Sequence, residues 1–178
     1  MSASRIDESL PFVPVRIAVL TVSDTRTAAN DTSGDTLAER IKTAGHVLAD
    51  RALLRDDVEL IRPHVARWIA DPQIDIVIST GGTGLTGRDV TVEAIRPLFD
   101  KEIDGFSALF HQVSYAKVGT STIQSRACAG VAGGTFIFAL PGSTGAVKDG
   151  WDEILKYQLD ARHRPCNFVE IMPRLNEK

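Results

Sequence analysis

One segment limits the possible fold of this 178-residue chain more than any other: an apolar run, Ile74–Ile78, that leads directly into a glycine-rich turn. Such a run is typical of a strand buried on both faces of a parallel sheet. The turn, Thr80–Gly84, has three glycines in five residues, and glycine lets the backbone take positive φ angles and approach a ligand closely. Arg88 and Asp89 then precede a helical pattern over 90–99. Because a helix start offers unpaired N–H groups and a favourable dipole, this strand, turn and helix together predict an anion site.

Further strands are indicated by other apolar runs. We predict buried strands at 15–22 and 135–140, an edge or half-buried strand at 46–54, and a short edge strand at 168–172. The segment 119–134 is poor in charge and rich in Ser, Thr, Gly and Ala, which predicts a loop with one short helical turn at 124–129.

Helices are predicted between these strands. The capping-box pattern Thr32-x-x-Asp35 predicts a helix start, and Gly45 is placed to end that helix. The next helix contains Pro63, which favours a late start near Arg62. The remaining predicted helices cover 90–99, with an end or break at Pro97, 104–117, and 143–159, with Ser143 as its cap.

The alternation of strands and helices predicts a three-layer α/β/α sandwich with a mostly parallel central sheet. We expect a single domain over 15–172, between tails at 1–14 and 173–178. Ligands of such sheets bind beyond the carboxyl ends of the strands. Four polar segments should therefore share one rim of the sheet: 23–35, 55–57, 80–89 and 141–143.

Composition excludes several classes of protein. The net charge of −3 gives no indication of a nucleic-acid-binding surface, and no apolar run is long enough to span a membrane. Cys128 and Cys166 are far apart, which fits a reducing compartment and no zinc ribbon. With Pro11 and Pro14 interrupting the apolar N-terminal run, no signal peptide is expected, and the sequence predicts a cytoplasmic protein.

The glycine turn contains a G-x-G-x-x-G pattern, formed by Gly82, Gly84 and Gly87. A dinucleotide-binding motif follows the first strand and has an acidic residue about 20 residues later. Here the pattern follows the third strand, so an NAD-dependent oxidoreductase is a distant alternative. A Walker loop needs lysine after the last glycine, and residue 88 is arginine, which excludes that class. A turn without any ligand is a further alternative, although three glycines and two threonines exceed what a connection requires.

Several side chains near the rim suit phosphate chemistry. Asp89 could cap the next helix or hold Mg²⁺ together with phosphate oxygens, and Asp56 or Asp57 has the same two possible roles. Aspartates at two strand ends suit phosphoryl or nucleotidyl transfer, which depends on positioning and charge neutralisation. Beside Ser125, Arg126 could grip a phosphate through its guanidinium fork or form a surface ion pair.

Seven short motifs lie in order between about residues 15 and 159. They are Val22-Ser23-Asp24, Asn30-Asp31-x-Ser33-Gly34, Thr80-Gly81-Gly82-Thr83-Gly84, Arg88-Asp89-Val90-Thr91, Glu102-Ile103-x-Gly105-Phe106, Ser125-Arg126-Ala127 and Leu140-Pro141-Gly142-Ser143. Together they resemble the motifs of the molybdopterin-binding MoaB/Mog family of molybdenum cofactor biosynthesis. Chain length and the segment 165–167 are more similar to the MoaB branch than to the Mog branch.

The resemblance implies an activity and an assembly. The family binds molybdopterin, a pterin dithiolene, and active members transfer AMP from Mg-ATP to its terminal phosphate, releasing pyrophosphate. Some MoaB-branch members bind the pterin without clear transfer, so a non-catalytic carrier is the main alternative. Members form homotrimers or hexamers made of two trimers. The resemblance therefore implies pterin and nucleotide as small-molecule partners, Mg²⁺ with ATP as co-substrate, and possible contacts with other enzymes of the pathway.

The resemblance also assigns the candidate site. The two essential aspartates of the family fall on Asp56 and Asp89, which would hold or orient Mg²⁺ and the reacting phosphate. Asp56 follows Arg55 instead of the usual proline, so Asp57 is the other possibility. The residues expected to bind substrate are Ser23, Asp24, Thr80, Gly81, Gly82, Thr83, Gly84, Ser125, Arg126, Pro141, Gly142 and Ser143. In both turns, backbone N–H groups would hold phosphate and pterin.

Overall fold

The computed structural model describes residues 5–178. Its strands are β1 (Arg5–Ile6), β2 (Arg16–Val22), β3 (Val47–Leu54), β4 (Ile76–Thr80), β5 (Lys101–Glu102), β6 (Cys128–Ala132), β7 (Thr135–Leu140) and β8 (His163–Arg164). Its helices are α1 (Thr32–Thr43), α2 (Val58–Ala70), α3 (Thr91–Ile95), α4 (Asp104–Val118), α5 (Thr144–Gly150), α6 (Lys156–Gln158) and α7 (Phe168–Ile171). A π-helical turn, Trp151–Leu155, joins α5 to α6, and 3₁₀ helices cover Arg96–Leu98, Gly119–Gln124 and Met172–Arg174.

Six strands form the central sheet in the order β3-β2-β4-β7-β6-β5. The first four are parallel, whereas β6 is antiparallel to both of its neighbours. All residues of β4 and β7 are buried, as expected for strands covered on both faces. The predicted α/β fold with a mostly parallel sheet is confirmed, and β3 lies at its edge as its polar sequence indicated.

Helices cover both faces of the sheet. Successive side chains of a strand point to opposite faces, so Ile76 and Ile78 of β4 pack in one core while Val77 packs in the other. The first core also contains Phe106 and Phe110 of α4 and residues of α1 and α5, and the second contains residues of α2 and α3. The sheet is therefore the middle of three layers.

The predicted late start of the second helix is wrong, because α2 begins at Val58 with Pro63 inside it. Proline removes one main-chain hydrogen bond and crowds the carbonyl four residues earlier. The stability that α2 loses at Pro63 is offset by a cap at its start and by side-chain burial near its end. The Asp57 side chain accepts a hydrogen bond from the N–H of Glu59, at 2.8 Å, and Trp68 is buried on the inner face.

The cap of α1 also differs from the prediction by one residue. The Asp31 side chain, not that of Thr32, accepts the hydrogen bond from the N–H of Gly34, at 3.0 Å. Asp31 is the better acceptor here because it is buried and also binds Thr21 Oγ1 and the Arg51 guanidinium.

The prediction of a loop with a helical turn at 124–129 is wrong as well. Residues 119–124 form a 3₁₀ helix, and Cys128–Ala132 forms β6, which pairs with β7. Gly133 and Gly134, with φ angles of 56° and 86°, join the two strands. A Gly-Gly pair between two apolar runs favours a tight hairpin, and this signal was available in the sequence.

The two ends of the described chain contain short regular elements. β1 pairs antiparallel with β8, so part of the segment expected as an N-terminal tail joins a two-stranded sheet. Residues 1–4 of that segment lie outside the described residues. The edge strand predicted at 168–172 is wrong: Asn167 caps a helical turn there by accepting the N–H of Glu170 at 3.0 Å. Within 5–178, no helix combines the length and apolar character needed to cross a membrane.

Candidate functional site

The carboxyl ends of β2, β4 and β7 open into a cavity of about 870 Å³. Thr21 pairs with Thr80, and Thr80 with Leu140, so the three strands end at one level. All four polar segments expected at this rim contribute to the lining. The strand register thus brings together groups that are more than 100 residues apart in the chain.

The glycine turn presents main-chain N–H groups to this cavity. Gly81 has a φ angle of 100°, and a Cβ atom there would lie 2.1 Å from the carbonyl oxygen of Val22, so only glycine fits. The N–H of Gly81 donates to the Leu140 oxygen at 3.0 Å. Among the described residues, the N–H groups of Gly82 and Thr83 have no protein acceptor, and both residues line the cavity. These two donors are available to a ligand.

Arg126 supports the turn from behind and is not among the residues that line the cavity. Its Nε donates to the Gly84 oxygen at 2.8 Å, and its Nη2 donates to the Asp89 oxygen at 3.0 Å. Its guanidinium also pairs with Glu93. In this structure the Arg126 guanidinium forms an ion pair, and its hydrogen bonds to the turn fit a role in shaping the turn.

Asp56 lies at the end of β3, just before α2, and is only 8% exposed. Its N–H donates to Asp24 Oδ1 at 3.3 Å, and a hydrogen bond from the Asp24 main chain favours the ionised carboxylate of Asp56. Burial, followed by the negative charges of Asp24 and Asp89, raises the pKa of Asp56. Asp57, by contrast, is exposed and occupied as the cap of α2. Of these two neighbours, Asp56 faces the cavity.

Asp89 lies on the other side of the glycine turn in a different environment. Burial alone would raise its pKa, but hydrogen bonds from the Thr86 hydroxyl at 2.7 Å and the Thr86 N–H at 2.9 Å outweigh it, so the pKa is lowered. The N–H of Gly84 acts in the same direction. The cavity thus contains one carboxylate whose pKa is lowered and one whose pKa is raised.

An ion pair lies at the same rim. The Asp24 carboxylate accepts two hydrogen bonds from Arg88, at 2.7 Å and 2.9 Å, which lower the pKa of Asp24. Neither residue is part of the cavity lining. The pair joins the segment after β2 to the segment after β4, and the Arg88 charge partly offsets the repulsion around Asp56.

These carboxylates fit a magnesium ion that is shared with a substrate. The described residues contain no cluster of three or more His, Cys, Asp or Glu side chains that could hold a metal by themselves. Mg²⁺ typically uses one or two carboxylates and completes its shell with water and phosphate oxygens. A cation near Asp56 and Asp89 would also offset the repulsion from Asp24 and Asp89 that adds to burial in raising the pKa of Asp56.

Most of the residues predicted from the sequence meet in the cavity. Those that line it are Ser23, Asp56, Thr80, Gly81, Gly82, Thr83, Gly84, Asp89, Ser125, Pro141, Gly142 and Ser143. Asp24 and Arg126 lie beside it and act on its lining residues. We call the surface formed by 80–84, Asp56 and Asp89 the glycine-loop wall.

A second wall was not predicted. It is formed by cavity-lining side chains of α4, of the following 3₁₀ helix and of α5, and we call it the α4 wall. Its members are Phe110, Ser114, Lys117, Val118, Ser121, Thr122, Gln124, Ala146 and Asp149. No local motif marks these residues, because α4 reads as an ordinary amphipathic helix and the 3₁₀ helix as a polar loop.

Two of the cavity residues, Ser33 and Thr122, have hydroxyl oxygens that are buried without a hydrogen-bond partner in residues 5–178. Buried polar groups are nearly always paired in folded proteins. Both oxygens are almost fully enclosed by protein, so they are polar groups of the cavity wall that the described residues leave unpaired.

Comparisons with known proteins identify a family for this chain. A family model described as "Probable molybdopterin binding domain" matches residues 18–161. Molybdenum cofactor biosynthesis protein B of Escherichia coli (strain K12) is 50% identical over 160 residues, covering 90% of this chain and 94% of that protein. The protein of the same name from Staphylococcus epidermidis is 43% identical over 150 residues, with coverage of 82% and 85%.

Solved structures give the same result. A crystal structure of Molybdenum cofactor biosynthesis protein B matches with a TM-score of 0.83 and 38% identity, covering 93% of this chain and 98% of that chain. The tungsten cofactor synthesizing protein MoaB from Pyrococcus furiosus matches with a TM-score of 0.71 and 36% identity, with coverage of 80% and 91%. The resemblance seen in the sequence is therefore confirmed, and the chain belongs to the molybdopterin-binding MoaB/Mog family of molybdenum cofactor biosynthesis.

Proposed function

We propose that this protein is a molybdopterin adenylyltransferase that uses Mg-ATP. One observation carries the proposal: two carboxylates with opposite pKa shifts flank a glycine turn that offers unpaired N–H groups to one cavity. The cavity volume of about 870 Å³ is within the range of small-molecule sites. Family membership favours a pterin ligand over the nicotinamide alternative.

In the proposed reaction, an oxygen of the terminal phosphate of molybdopterin attacks the α-phosphorus of ATP. A new P–O bond forms, the bond between the α-phosphorus and its bridging oxygen breaks, and pyrophosphate leaves. The protein supplies position and charge, not a nucleophile. Gly82 and Thr83 would donate N–H groups to phosphate oxygens, while Arg126 keeps their turn in shape from behind.

Asp56 and Asp89 are the residues that would hold Mg²⁺. When bound, Mg²⁺ supplies positive charge to the phosphate oxygens of the transition state. Asp89 is prepared for this role by its Thr86 hydrogen bonds, which favour the ionised carboxylate. Asp56 ionises less readily in the empty site, so its carboxylate is the one whose charge depends most on a nearby cation.

The test makes the same substitution, Asp to Asn, at one aspartate in the cavity and at one outside it. Asp89→Asn should lower ATP-dependent pyrophosphate release with molybdopterin by about 100-fold or more, the usual scale for removing a charge-stabilising group. Asp57→Asn should stay within about twofold of the wild type, since asparagine caps a helix as well as aspartate does. Unchanged turnover in Asp89→Asn would remove Asp89 from the mechanism.

A non-catalytic carrier of the same pterin is the second candidate, and one observation favours it. Within residues 5–178, both cations that line the cavity are already engaged: Arg26 donates to Thr32 Oγ1 and the Gly142 oxygen, and Lys117 pairs with Asp149. No unengaged cation in the lining is therefore at hand to neutralise a triphosphate. Molybdopterin binding without pyrophosphate release in the wild type would establish the carrier.

We also infer a cytoplasmic homotrimer or hexamer, following the family resemblance. The exposed apolar side chains Leu109, Tyr115, Val118 and Ile123 lie on α4 and the 3₁₀ helix after it. Tyr115 and Val118 are three residues apart and so share a face of α4, and exposed apolar side chains on one face support self-association through this part of the chain.

A further inference from the structure

The α4 wall holds one charged pair that the proposed transfer reaction does not use. Lys117 Nζ lies 2.6 Å from Asp149 Oδ1, and both residues line the cavity. The Lys117 side chain is 47% exposed, whereas that of Asp149 is only 15% exposed. Asp149 is thus the enclosed partner, and Lys117 lies over it from the more open side.

The Asp149 carboxylate is held by Lys117 and still has unused hydrogen-bond acceptor positions. Only its Oδ1 atom receives a hydrogen bond within residues 5–178, from Lys117. A carboxylate has about four acceptor positions on its two oxygens. The hydrogen bond to Asp149 raises the pKa of Lys117, so the lysine keeps its positive charge. Asp149 can therefore accept further N–H donors from a ligand without losing its partner.

A second group on this wall is also incomplete. Thr122 Oγ1 is buried in the cavity wall without a hydrogen-bond partner among the described residues. The buried aromatic ring of Phe110 lines the same wall. Phe110 and Thr122 Oγ1 are almost fully enclosed, whereas the Asp149 side chain keeps 15% of its surface accessible. An accessible carboxylate on a wall backed by an apolar ring suits a flat heterocycle with N–H groups on its edge.

The pattern of donors distinguishes two such heterocycles. A 2-amino-4-oxo pteridine presents two parallel N–H donors, from the 2-amino group and N3, and a carboxylate accepts both at once. Adenine presents its amino group beside an unprotonated ring nitrogen, which a carboxylate repels. Bidentate contacts of this kind give geometric selectivity as well as affinity.

We propose that Asp149, positioned by Lys117, recognises the 2-amino-4-oxo edge of the pterin at the α4 wall. The phosphate end of the ligand then lies toward the glycine-loop wall, where the unpaired N–H groups are. The inference relies on the proposed function only for the choice of a pterin ligand, and it holds for a transferase and for a carrier alike.

The test uses two small ligands that lack phosphate and differ at one position. 6-Hydroxymethylpterin has the 2-amino group, and 6-hydroxymethyllumazine has an oxygen there that would face the carboxylate. In fluorescence titrations, the wild type should bind the pterin about tenfold more tightly or better, since a polar site rejects an analogue that leaves it unpaired. Asp149→Asn should bring the two dissociation constants to within about twofold of each other.

Glu153→Gln is the matched control. Glu153 lies 3.7 Å from the same Lys117 Nζ but is not among the cavity-lining residues. This variant should keep the wild-type preference for pterin. A merely structural role for Asp149 would weaken both ligands equally and leave their ratio unchanged, which would overturn the proposal.

The wild type alone also decides the matter if Asp149→Asn does not fold. Equal affinity for the two ligands, or binding of neither, would overturn the assignment. Weaker ATP binding with unchanged pterin binding in Asp149→Asn would place adenine there instead. Because no ligand in this test can accept AMP, a failed transfer assay and a failed recognition test are separate results.

Discussion

The two walls of the cavity are built from different parts of the chain and offer different chemistry. The glycine-loop wall presents main-chain N–H groups and two carboxylates, all within or beside strand-to-helix turns. The α4 wall presents side chains alone: hydroxyls, an aromatic ring and a neutralised Lys117–Asp149 pair. Main-chain donors suit any phosphate, whereas side chains on a helix can be chosen for one heterocycle. The contrast suggests that one wall supplies general anion binding and the other supplies selectivity.

The largest effect on stability should come from adding a side chain to Gly81, where the glycine-loop wall packs closely against the main chain of β2. In Gly81→Ala, the new Cβ would lie 2.1 Å from the Val22 carbonyl oxygen at a φ angle of 100°. We expect the free energy of unfolding to fall by about 3 kcal/mol or more, from the strained backbone and the clash together. Chemical denaturation measures the change.

Gly87→Ala is the control for this substitution. Nothing lies within 4 Å of a Cβ atom at Gly87, and its φ angle is not positive. Its unfolding free energy should stay within about 0.5 kcal/mol of the wild type. Equal losses in the two variants would show that the close approach of Gly81 to β2 does not matter.

Substituting the two carboxylates of the glycine-loop wall should change stability by a smaller amount and in opposite directions. The pKa of Asp56 is raised above 3.8, so its ionisation destabilises the fold as the pH rises through the folded value. The pKa of Asp89 is lowered, so its contribution to stability is present above 3.8 and is lost as the pH falls through the lower folded value. Near neutral pH, Asp56→Asn should therefore stabilise the protein and Asp89→Asn should destabilise it, each by about 1 kcal/mol.

The pH dependence provides the control for that pair. The Asp56→Asn difference should shrink as the pH falls through the raised folded pKa of Asp56 towards 3.8. The Asp89→Asn difference should shrink only as the pH falls from 3.8 through the lowered folded pKa of Asp89. In each case the wild-type carboxylate becomes neutral in that range. Denaturation curves over a pH series measure this. Changes of the same sign in both variants at neutral pH would mean that the two carboxylates do not occupy opposite environments.

The smallest effect concerns buried hydroxyls that have no hydrogen-bond partner within 5–178. Thr122→Val on the α4 wall and Ser79→Ala in β4 each remove such a group. We expect unfolding free energies equal to the wild type or higher by up to about 1 kcal/mol, since no hydrogen bond is lost. Only Thr122 lines the cavity, so only Thr122→Val should weaken pterin binding, by a few-fold. Weaker binding in Ser79→Ala would contradict the distinction.

Prediction from sequence succeeded where the structure depends on residues that are close together in the chain. The strand-to-turn segment at 74–84, the cap at Ser143 and the helix over 104–117 follow from local patterns. It failed where a tertiary contact outweighs a local preference. Trp68 and its neighbours on the inner face of α2 are buried, which keeps Pro63 inside a helix, and pairing with β7 turns 128–132 into a strand.

The same division applies to the site. The sequence by itself determined that glycine-rich turns and aspartates would meet at one rim, because parallel strands end together and their following turns must lie side by side. Only the tertiary structure decided that Asp56 faces the cavity while Asp57 caps α2, that Arg126 supports the turn from behind, and that α4 adds a second wall. These outcomes depend on side-chain direction and on packing between distant elements, which no local pattern encodes.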